Sequence, residues 1–230
     1  MDTPGPPLAR FPSLAIGEAP WRAARAAATV GALANGLVAP DSALDALTAL
    51  GVPHGGWWDI VAGMRRAGVC VLRLPRPGDA RGLALPRDAA ADAALGWAAA
   101  GGASAWLVPG RAGSWTRHDL PAGALGVRDP AEADQRLRGE VVRAAHVTDA
   151  LSPAIGDGDE RRSLERVVDS WILGPPAMPA ERRVLASTGL RILLALGHVE
   201  QGPVGVDASG LERAARDAVE SAYSTDSRNG

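Results

Sequence analysis

Apolar residues recur every three to four positions along most of this chain, which is the spacing of helices that bury one side. The spacing is clear from residue 20 to residue 36, where one side carries Trp21, Ala24, Ala28 and Leu33. Two further segments, ALDALTAL and WWDIVAGMRRAG, show the same spacing before Gly68, and Asp41 or Ser42 is expected to cap the first of them. The pattern predicts three helices in the first 68 residues.

Three short stretches have the composition of β-strands instead. Residues 69–75 are aliphatic and β-branched and lie between a glycine and a proline, and residues 104–110 are their expected partner. Residues 113–118 follow at once and predict a hairpin with the second strand. Between the first two strands, the alanine-rich segment around residues 88–100 predicts a helix or turn. These stretches predict a small sheet with helices on one side.

The second half of the chain returns to helical spacing. Asp129 followed by Pro130 and Glu132 is a strong helix start, since aspartate caps and proline fits the first helical position. Further helices are predicted at about 159–173, 179–199 and 209–223, and four such helices predict a bundle. The fold class is therefore α+β and α-dominated, with a small N-terminal sheet plus a C-terminal bundle. The expected division is a flexible arm (1–13), a helical and small-sheet domain (14–126), the four-helix bundle (127–225) and a fraying tail (226–230).

Composition narrows the function classes. All 24 basic residues are arginine, and with 26 acidic residues the formal net charge is -2, which disfavours nucleic acid and anionic membranes as partners. The single cysteine, Cys70, excludes an intrachain disulfide and cysteine-rich zinc sites. No apolar run is long enough to span a membrane, and the N-terminal residues lack the apolar core of a secretory signal. A cytoplasmic protein is expected.

The segment RLPRPGDARGLALPR, residues 73–87, is the leading candidate for a binding site. It follows a strand, and its guanidinium groups and glycine-flanked backbone N–H groups could converge on a carboxylate or phosphate. The alternative is structural: Pro-Gly-Asp makes a turn, and Asp79 pairs with a neighbouring arginine. The candidate residues here are Arg73, Arg76, Asp79, Arg81 and Arg87.

Trp57 and Trp58 are a second candidate, because adjacent residues at a helix start point about 100° apart and rarely both enter one core. An exposed indole near arginine could stack on a ring or a partner protein. The alternative is core filling in an alanine-rich protein. A third candidate is a homodimer surface on the C-terminal helices, formed by Val167, Trp171, Ile172, Leu193 and Leu194.

No metal or cofactor site is predicted. The four histidines have no ligand spacing, and the acidic run at residues 156–162 is explained by a helix N-terminus, which favours carboxylates. His118 next to Asp119 could form a base with its orienting carboxylate, but this is not expected, because neighbours on a strand normally point to opposite faces. Cys70, inside a predicted strand, is expected to be an inert thiol.

Three segments together resemble an uncharacterised protein family of high-GC Gram-positive bacteria (actinobacteria). They are GWWDIVAGMRRAGV, the strand and loop ending RLPRPGDARGL, and ERAARDAVESAY near the C-terminus. The family's loop has the form L-P-x-P-G-D-P-x-G-L, and Ala80 stands here in place of the proline that follows the aspartate. The resemblance covers much of residues 55–224 and implies an actinobacterial cytosolic origin, but no activity.

Two functions remain open. The first is a non-enzymatic binding or regulatory protein that holds an anionic small molecule or a protein partner with the arginine loop and the tryptophan pair. The second is an enzyme acting on a phosphorylated or carboxylated metabolite, with Arg76, Asp79 and Arg81 as clamp and His118 or His54 as the acid–base group. Under either, replacing Arg76 and Arg81 by alanine is expected to abolish capture and leave the melting temperature nearly unchanged.

Overall fold

A computed structural model describes residues 18–53, 69–76, 79–81, 83, 93–98, 104–109, 114–120, 125–144, 162, 165–166, 168–169, 178–199 and 208–226. Across these ranges the chain forms five named helices and five strands. The helices are α1 (Glu18–Ala34), α2 (Pro40–Ala49), α3 (Pro130–Arg143), α4 (Ala180–Val199) and α5 (Ser209–Tyr223). The strands are β1 (Val69–Arg73), β2 (Ala94–Ala98), β3 (Ser104–Pro109), β4 (Trp115–Leu120) and β5 (Thr225–Asp226). The α-dominated α+β class is confirmed.

The strands form one antiparallel sheet in the order β4-β3-β2-β1-β5. The predicted hairpin of β3 and β4 is confirmed, with Trp106 opposite His118. The predicted pairing of the first strand with residues 104–110 is wrong, because β2 lies between β1 and β3. All five residues of β1 are buried, as the apolar composition of that segment requires.

Strand β2 occupies part of the alanine-rich segment for which a helix or turn was predicted, and that prediction is wrong for residues 94–98. Alanine is the strongest helix former, but intrinsic propensity amounts to less than about 1 kcal/mol per residue, and strand pairing on both sides of the segment overrides it. Gly96 is the residue that a helix would tolerate least, and it lies opposite Val71 on one side and Trp106 on the other. Tertiary pairing therefore decides the structure of this segment.

The end of the chain is also ordered further than predicted. Asp226 lies in the tail that was expected to fray, but together with Thr225 it forms β5, and the two residues pair with Val69 and Cys70 of β1. The C-terminal segment thus adds an outer strand to a sheet built from the first half of the sequence.

Helices cover one face of the sheet. Helix α1 contacts β1, β2 and β3, and α5 contacts β1 while α3 and α4 pack on α5. One continuous apolar core therefore includes residues of both predicted units, from Ala23 of α1 and Leu107 of β3 to Leu190 of α4 and Tyr223 of α5. The opposite face carries a smaller apolar cluster of Val69, Val71, Leu83, Ala94, Trp106 and Val108, with Leu125 and Val127 against it.

The sequence predicts the N-terminal cap of α3 correctly but not that of α2. The Asp129 side chain caps α3 as predicted and accepts a hydrogen bond from the Ala131 backbone N–H at 2.9 Å. The predicted cap of α2 is wrong: the N-cap is Ala39, Pro40 takes the first helical position and Asp41 lies in the first turn. Proline has no backbone N–H group, so the first helical position of α2 needs no hydrogen-bond acceptor. No side chain caps this helix.

Two predicted helices fall wholly or mainly on residues outside the description. The segment WWDIVAGMRRAG is one of them, and within the predicted helix 159–173 only residues 162, 165–166 and 168–169 are described, all helical. Two members of the predicted dimer surface, Leu193 and Leu194, are buried in the chain's own core, so they are not available to a second copy. None of the helices in the described residues has the length and apolar character needed to cross a membrane.

Two glycines inside helices predict opposite mutational effects. A Cβ at Gly189 of α4 would lie 2.8 Å from the Ala215 carbonyl oxygen and 2.9 Å from a methyl carbon of Val219, whereas at Gly139 of α3 it would meet only an Arg143 nitrogen at 3.9 Å. Gly189→Ala should therefore force α4 and α5 apart and lower the free energy of unfolding by about 1–3 kcal/mol.

Gly139→Ala is the matched control for that substitution. It removes a helix-interior glycine without a clash, so it should raise the free energy of unfolding by about 0.5–1 kcal/mol. Urea unfolding followed by circular dichroism measures both. A stabilising Gly189→Ala would contradict the close approach of α4 to α5.

Candidate functional site: the arginine cluster

The loop after β1 turns back on itself immediately. The backbone N–H of Arg76 donates to the Asp79 carbonyl at 3.0 Å, and the Asp79 N–H donates to the Arg76 carbonyl at 2.9 Å. The Asp79 carboxylate then accepts the backbone N–H of Arg81 at 3.1 Å, an aspartate turn of the kind predicted as the structural alternative. These bonds fix the direction in which Arg81 leaves the loop.

Arg81 has a strained backbone. Its φ of 53° lies in the left-handed region, and it is the only residue other than glycine with a positive φ in the described parts of the chain. A side chain in this region costs about 1–2 kcal/mol. The compensation is that the Arg81 side chain, only 3 % exposed, reaches α5 and contacts Glu220 and Asp217.

Glu220 of α5 is the deepest acid of the site, with a side chain that is fully buried. It accepts hydrogen bonds from Arg81 Nε at 3.0 Å and from a terminal nitrogen of Arg81 at 2.9 Å, and also from the Leu74 backbone N–H at 2.7 Å. Arg73 lies 3.9 Å away. A buried carboxylate needs this degree of pairing, since an unpaired buried charge is strongly destabilising.

Asp217 lies one turn before Glu220 and is shared by three arginines. Arg81 and Arg128 both contact its Oδ1, while Arg136 of α3 donates to Oδ2 at 2.9 Å. Its side chain is 2 % exposed. One carboxylate thus binds three guanidinium groups that come from the loop, from the residue before the α3 cap, and from α3 itself.

The outer part of the cluster is more exposed. Arg76 pairs with Glu212, which also accepts from Arg216 at 2.9 Å, one helical turn away. Arg213 lies 3.7 Å from Asp79. The arginine cluster is the set joined by these contacts: Arg73, Arg76, Arg81, Arg128, Arg136, Arg213, Arg216, Asp79, Glu132, Glu212, Asp217 and Glu220.

The cluster is cationic. Its described members are seven arginines and five carboxylates, so the formal charge is positive although the whole chain carries -2. The Arg128 and Arg136 side chains are 33 % and 47 % exposed while bound to the same acid. Arg136 also pairs with the exposed carboxylate of Glu132 at 2.8 Å. Arg128 has Asp217 as its acidic partner among the described contacts, so the excess positive charge of the cluster is most open to solvent at Arg128.

The pKa shifts of Arg128 and Asp79 have the directions expected near an excess of positive charge. Burial lowers the pKa of the Arg128 guanidinium from its ordinary value, and the nearby charges of Arg81, Arg73 and Arg136 lower it further, against the opposing charge of Glu220. Partial burial acts to raise the pKa of Asp79. The backbone N–H of Arg81 and the surrounding arginine charges outweigh that burial, so the Asp79 carboxyl has a pKa below its usual value. Both directions are those of a site rich in cations.

The edge of β1 is completed from this site. Beyond the two residues paired with β5, the Leu72 backbone N–H donates to Ser224 Oγ at 3.0 Å and the Leu74 N–H donates to Glu220. Arg216 donates to the Leu74 carbonyl at 3.2 Å. Side chains of α5 and its C-cap thus take the place of a longer neighbouring strand, and they hold the loop against the helix.

The structure brings together four of the seven residues that the sequence marked. Arg73, Arg76, Asp79 and Arg81 all belong to the cluster, and Asp79 lies 3.7 Å from Arg81, so the pairing foreseen in the structural alternative is present. Arg73 and Arg81 are buried, so the carboxylates near their side chains are those of the protein itself. The other three, Arg87, Trp57 and Trp58, lie outside the described residues.

Sequence reasoning missed the partners of the loop. Glu212, Arg216 and Glu220 follow one another at intervals of four, a spacing that places them on one side of a helix. From sequence alone, a polar stripe of this kind is expected to face solvent. Arg128 and Arg136 carried no comparable pattern, and their role emerges only from the packing of α3 on α5.

Groups able to hold a metal ion, sought among the histidines, cysteines and acids of the described residues, are not found. Burial raises the pKa of the Cys70 thiol to about 12, so it stays protonated and inert as predicted. Comparison of the chain with protein-family models, with curated proteins and with solved structures gives no match.

Proposed function

We propose that this protein is a non-enzymatic cytosolic binding or regulatory protein, which holds the phosphate or carboxylate group of a small molecule or of a protein partner at the arginine cluster. The supporting observation is the sharing of Asp217 by three arginines, two of them partly exposed. Arg81 also pairs with Glu220 and Arg136 with Glu132, so an oxyanion would bind mainly at Arg128, next to Arg136, and would offset the excess positive charge of the cluster.

We assign different roles to the arginines than the sequence analysis did. Arg81 and Arg73 are the buried supports, because their donors are engaged by Glu220 and by backbone carbonyls. Arg128 and Arg136 are the proposed contact residues for the anion, with Arg213 close to Asp79 at the same surface. Guanidinium groups suit this task because their paired N–H donors match carboxylate and phosphate oxygens.

The enzyme hypothesis gains less support. It requires a histidine beside the clamp. His118 lies on β4, three strands from β1. At the usual strand spacing this is about 14 Å across the sheet. The other candidate, His54, lies outside the described residues. The described side chains of the cluster are guanidinium and carboxylate groups, an arrangement suited to binding and orienting an anion.

Inorganic phosphate is the probe for this proposal. Titration of the full chain by calorimetry should show saturable binding, and the melting temperature should rise with phosphate because a ligand at 100 times its Kd adds about 2.7 kcal/mol to the folded state. The double variant Arg128→Gln with Arg136→Gln should lose at least about tenfold in affinity, which corresponds to 1.4 kcal/mol.

Arg138→Gln is the matched control, because Arg138 lies on the same helix, is exposed and pairs only with Asp134 among the contacts seen. It should bind phosphate like the unmodified protein. Equal binding by the double variant, or no binding by the unmodified chain of phosphate and of a tricarboxylate such as citrate, would overturn the proposal.

A further inference from the structure

Trp106 of β3 is buried on the face of the sheet opposite the helices, with 3 % of its surface exposed. Its indole Nε1 is the one buried side-chain nitrogen or oxygen among the described residues that has no hydrogen-bond partner. Buried tryptophan N–H groups almost always find an acceptor. An acceptor is therefore expected at this position that the described residues do not provide.

The ring of Trp106 lies on Gly96 of the neighbouring strand. A Cβ at Gly96 would come within 2.6 Å of Cε3 and 2.8 Å of Cη2, so only glycine accommodates the indole there. These atoms belong to the six-membered ring, on the side away from Nε1. The N–H edge consequently faces away from Gly96, toward the remainder of this sheet face.

His118 of β4 is the cross-strand partner of Trp106 and its side chain lies on the same face. It is half-buried, and no hydrogen bond or ion pair to its ring is found within the described part of the chain. The other described neighbours on this face are mainly aliphatic, among them Val108, Leu125 and Val127. Two side chains able to donate hydrogen bonds thus lie next to each other at a buried apolar cluster, with the half-buried His118 at its more exposed side.

We propose that this face, around Trp106 and His118, binds a small carboxylic acid with an apolar body. The two carboxylate oxygens accept from Trp106 Nε1 and from the His118 ring, and the apolar body packs on the aliphatic cluster. An oxygen acceptor satisfies the buried donor, and two adjacent donors match a carboxylate better than a single carbonyl. This site is on the other face of the sheet from the helices and does not depend on the arginine cluster binding an anion.

Indole N–H resonances test the proposal directly. The Trp106 signal is identified in the ¹⁵N spectrum of the full chain as the one missing from Trp106→Phe. Octanoate, or phenylacetate if the site is short, should shift that signal saturably, because a new acceptor deshields the proton. Octylammonium has the same chain as octanoate without an acceptor oxygen and should leave the signal in place.

Variants separate this site from general hydrophobic binding. Trp106→Phe and His118→Ala should each weaken binding of the carboxylate by about tenfold, the worth of a hydrogen bond to a charged acceptor. Trp115→Phe is the matched control, since Trp115 Nε1 already donates to the Leu50 carbonyl at 2.9 Å, and it should bind normally. His118→Ala alters a half-buried residue, so it keeps the test valid if Trp106→Phe does not fold.

Three results would overturn the proposal. The Trp106 signal could exchange with a bound water both with and without the carboxylates, which would make water the missing acceptor. It could stay unchanged at saturating octanoate and phenylacetate. Octylammonium could also shift it as strongly as octanoate, which would show binding without use of the N–H donor.

Discussion

Replacing Arg81 by alanine should lower the free energy of unfolding by about 3–5 kcal/mol, because it leaves Glu220 and Asp217 buried without their closest shared cation. For a chain of this length such a loss corresponds to a fall in Tm of roughly 6–20 °C. Relief of the left-handed backbone offsets little of it, since alanine at φ 53° is strained as arginine is. Thermal and urea unfolding measure the loss.

Arg76→Ala is the matched control from the same loop. Arg76 is part-exposed and pairs with Glu212, which keeps Arg216 as a second partner, so the loss should be about 1 kcal/mol or less. The sequence alone led to the expectation that both substitutions leave Tm nearly unchanged. A small effect of Arg81→Ala would restore that expectation and contradict a structural role for the buried guanidinium.

Glu220→Ala should be destabilising to a similar extent, about 3–5 kcal/mol, for the complementary reason. It leaves the Arg81 guanidinium with fewer acceptors in the interior and removes the acceptor of the Leu74 backbone N–H. Glu220→Gln retains an oxygen for Leu74 but no charge for Arg81, so its loss should be smaller. Urea unfolding of the three proteins under one set of conditions gives the order.

The two substitutions also test each other. Arg81 and Glu220 are direct partners, so the double alanine variant should lose clearly less than the sum of the single losses, because each single variant strands a charge that the double variant removes. Additive losses would show that Arg81 and Glu220 stabilise the protein independently, against the geometry of the cluster.

Local patterns were sufficient where structure is decided locally. The apolar repeat of α1, the Asp129 cap and the hairpin of β3 and β4 rest on neighbouring residues, and all three are present. The alanine-rich β2 could not be recognised, because its conformation depends on strands at both sides. The same holds for β5, which consists of two polar residues and is a strand only because β1 has a free edge there.

The sequence predicted the loop part of the candidate site but not the part on the helices. A dense run of arginines marked the loop, and its members do lie together. Their charge partners are on α5, about 136–147 residues later, and the pairing of Arg81 with Glu220 depends on the way that α5 crosses β1. Sequence spacing gives the face of a helix but not what covers that face. Arg128 and Arg136 can for that reason be recognised as members of the cluster only in the folded chain.

The edge of β1 has a consequence for synthesis on the ribosome. Residues 69–74 emerge early, but the groups that satisfy Leu72 and Leu74 come from residues 220 and 224, and the short strand that pairs with Val69 and Cys70 comes later still. Until then the nascent chain exposes an apolar strand with an unpaired backbone edge. Such an edge promotes aggregation with other chains. Arrest of translation before residue 220 should therefore yield aggregates and chaperone-bound chains, not a smaller folded domain.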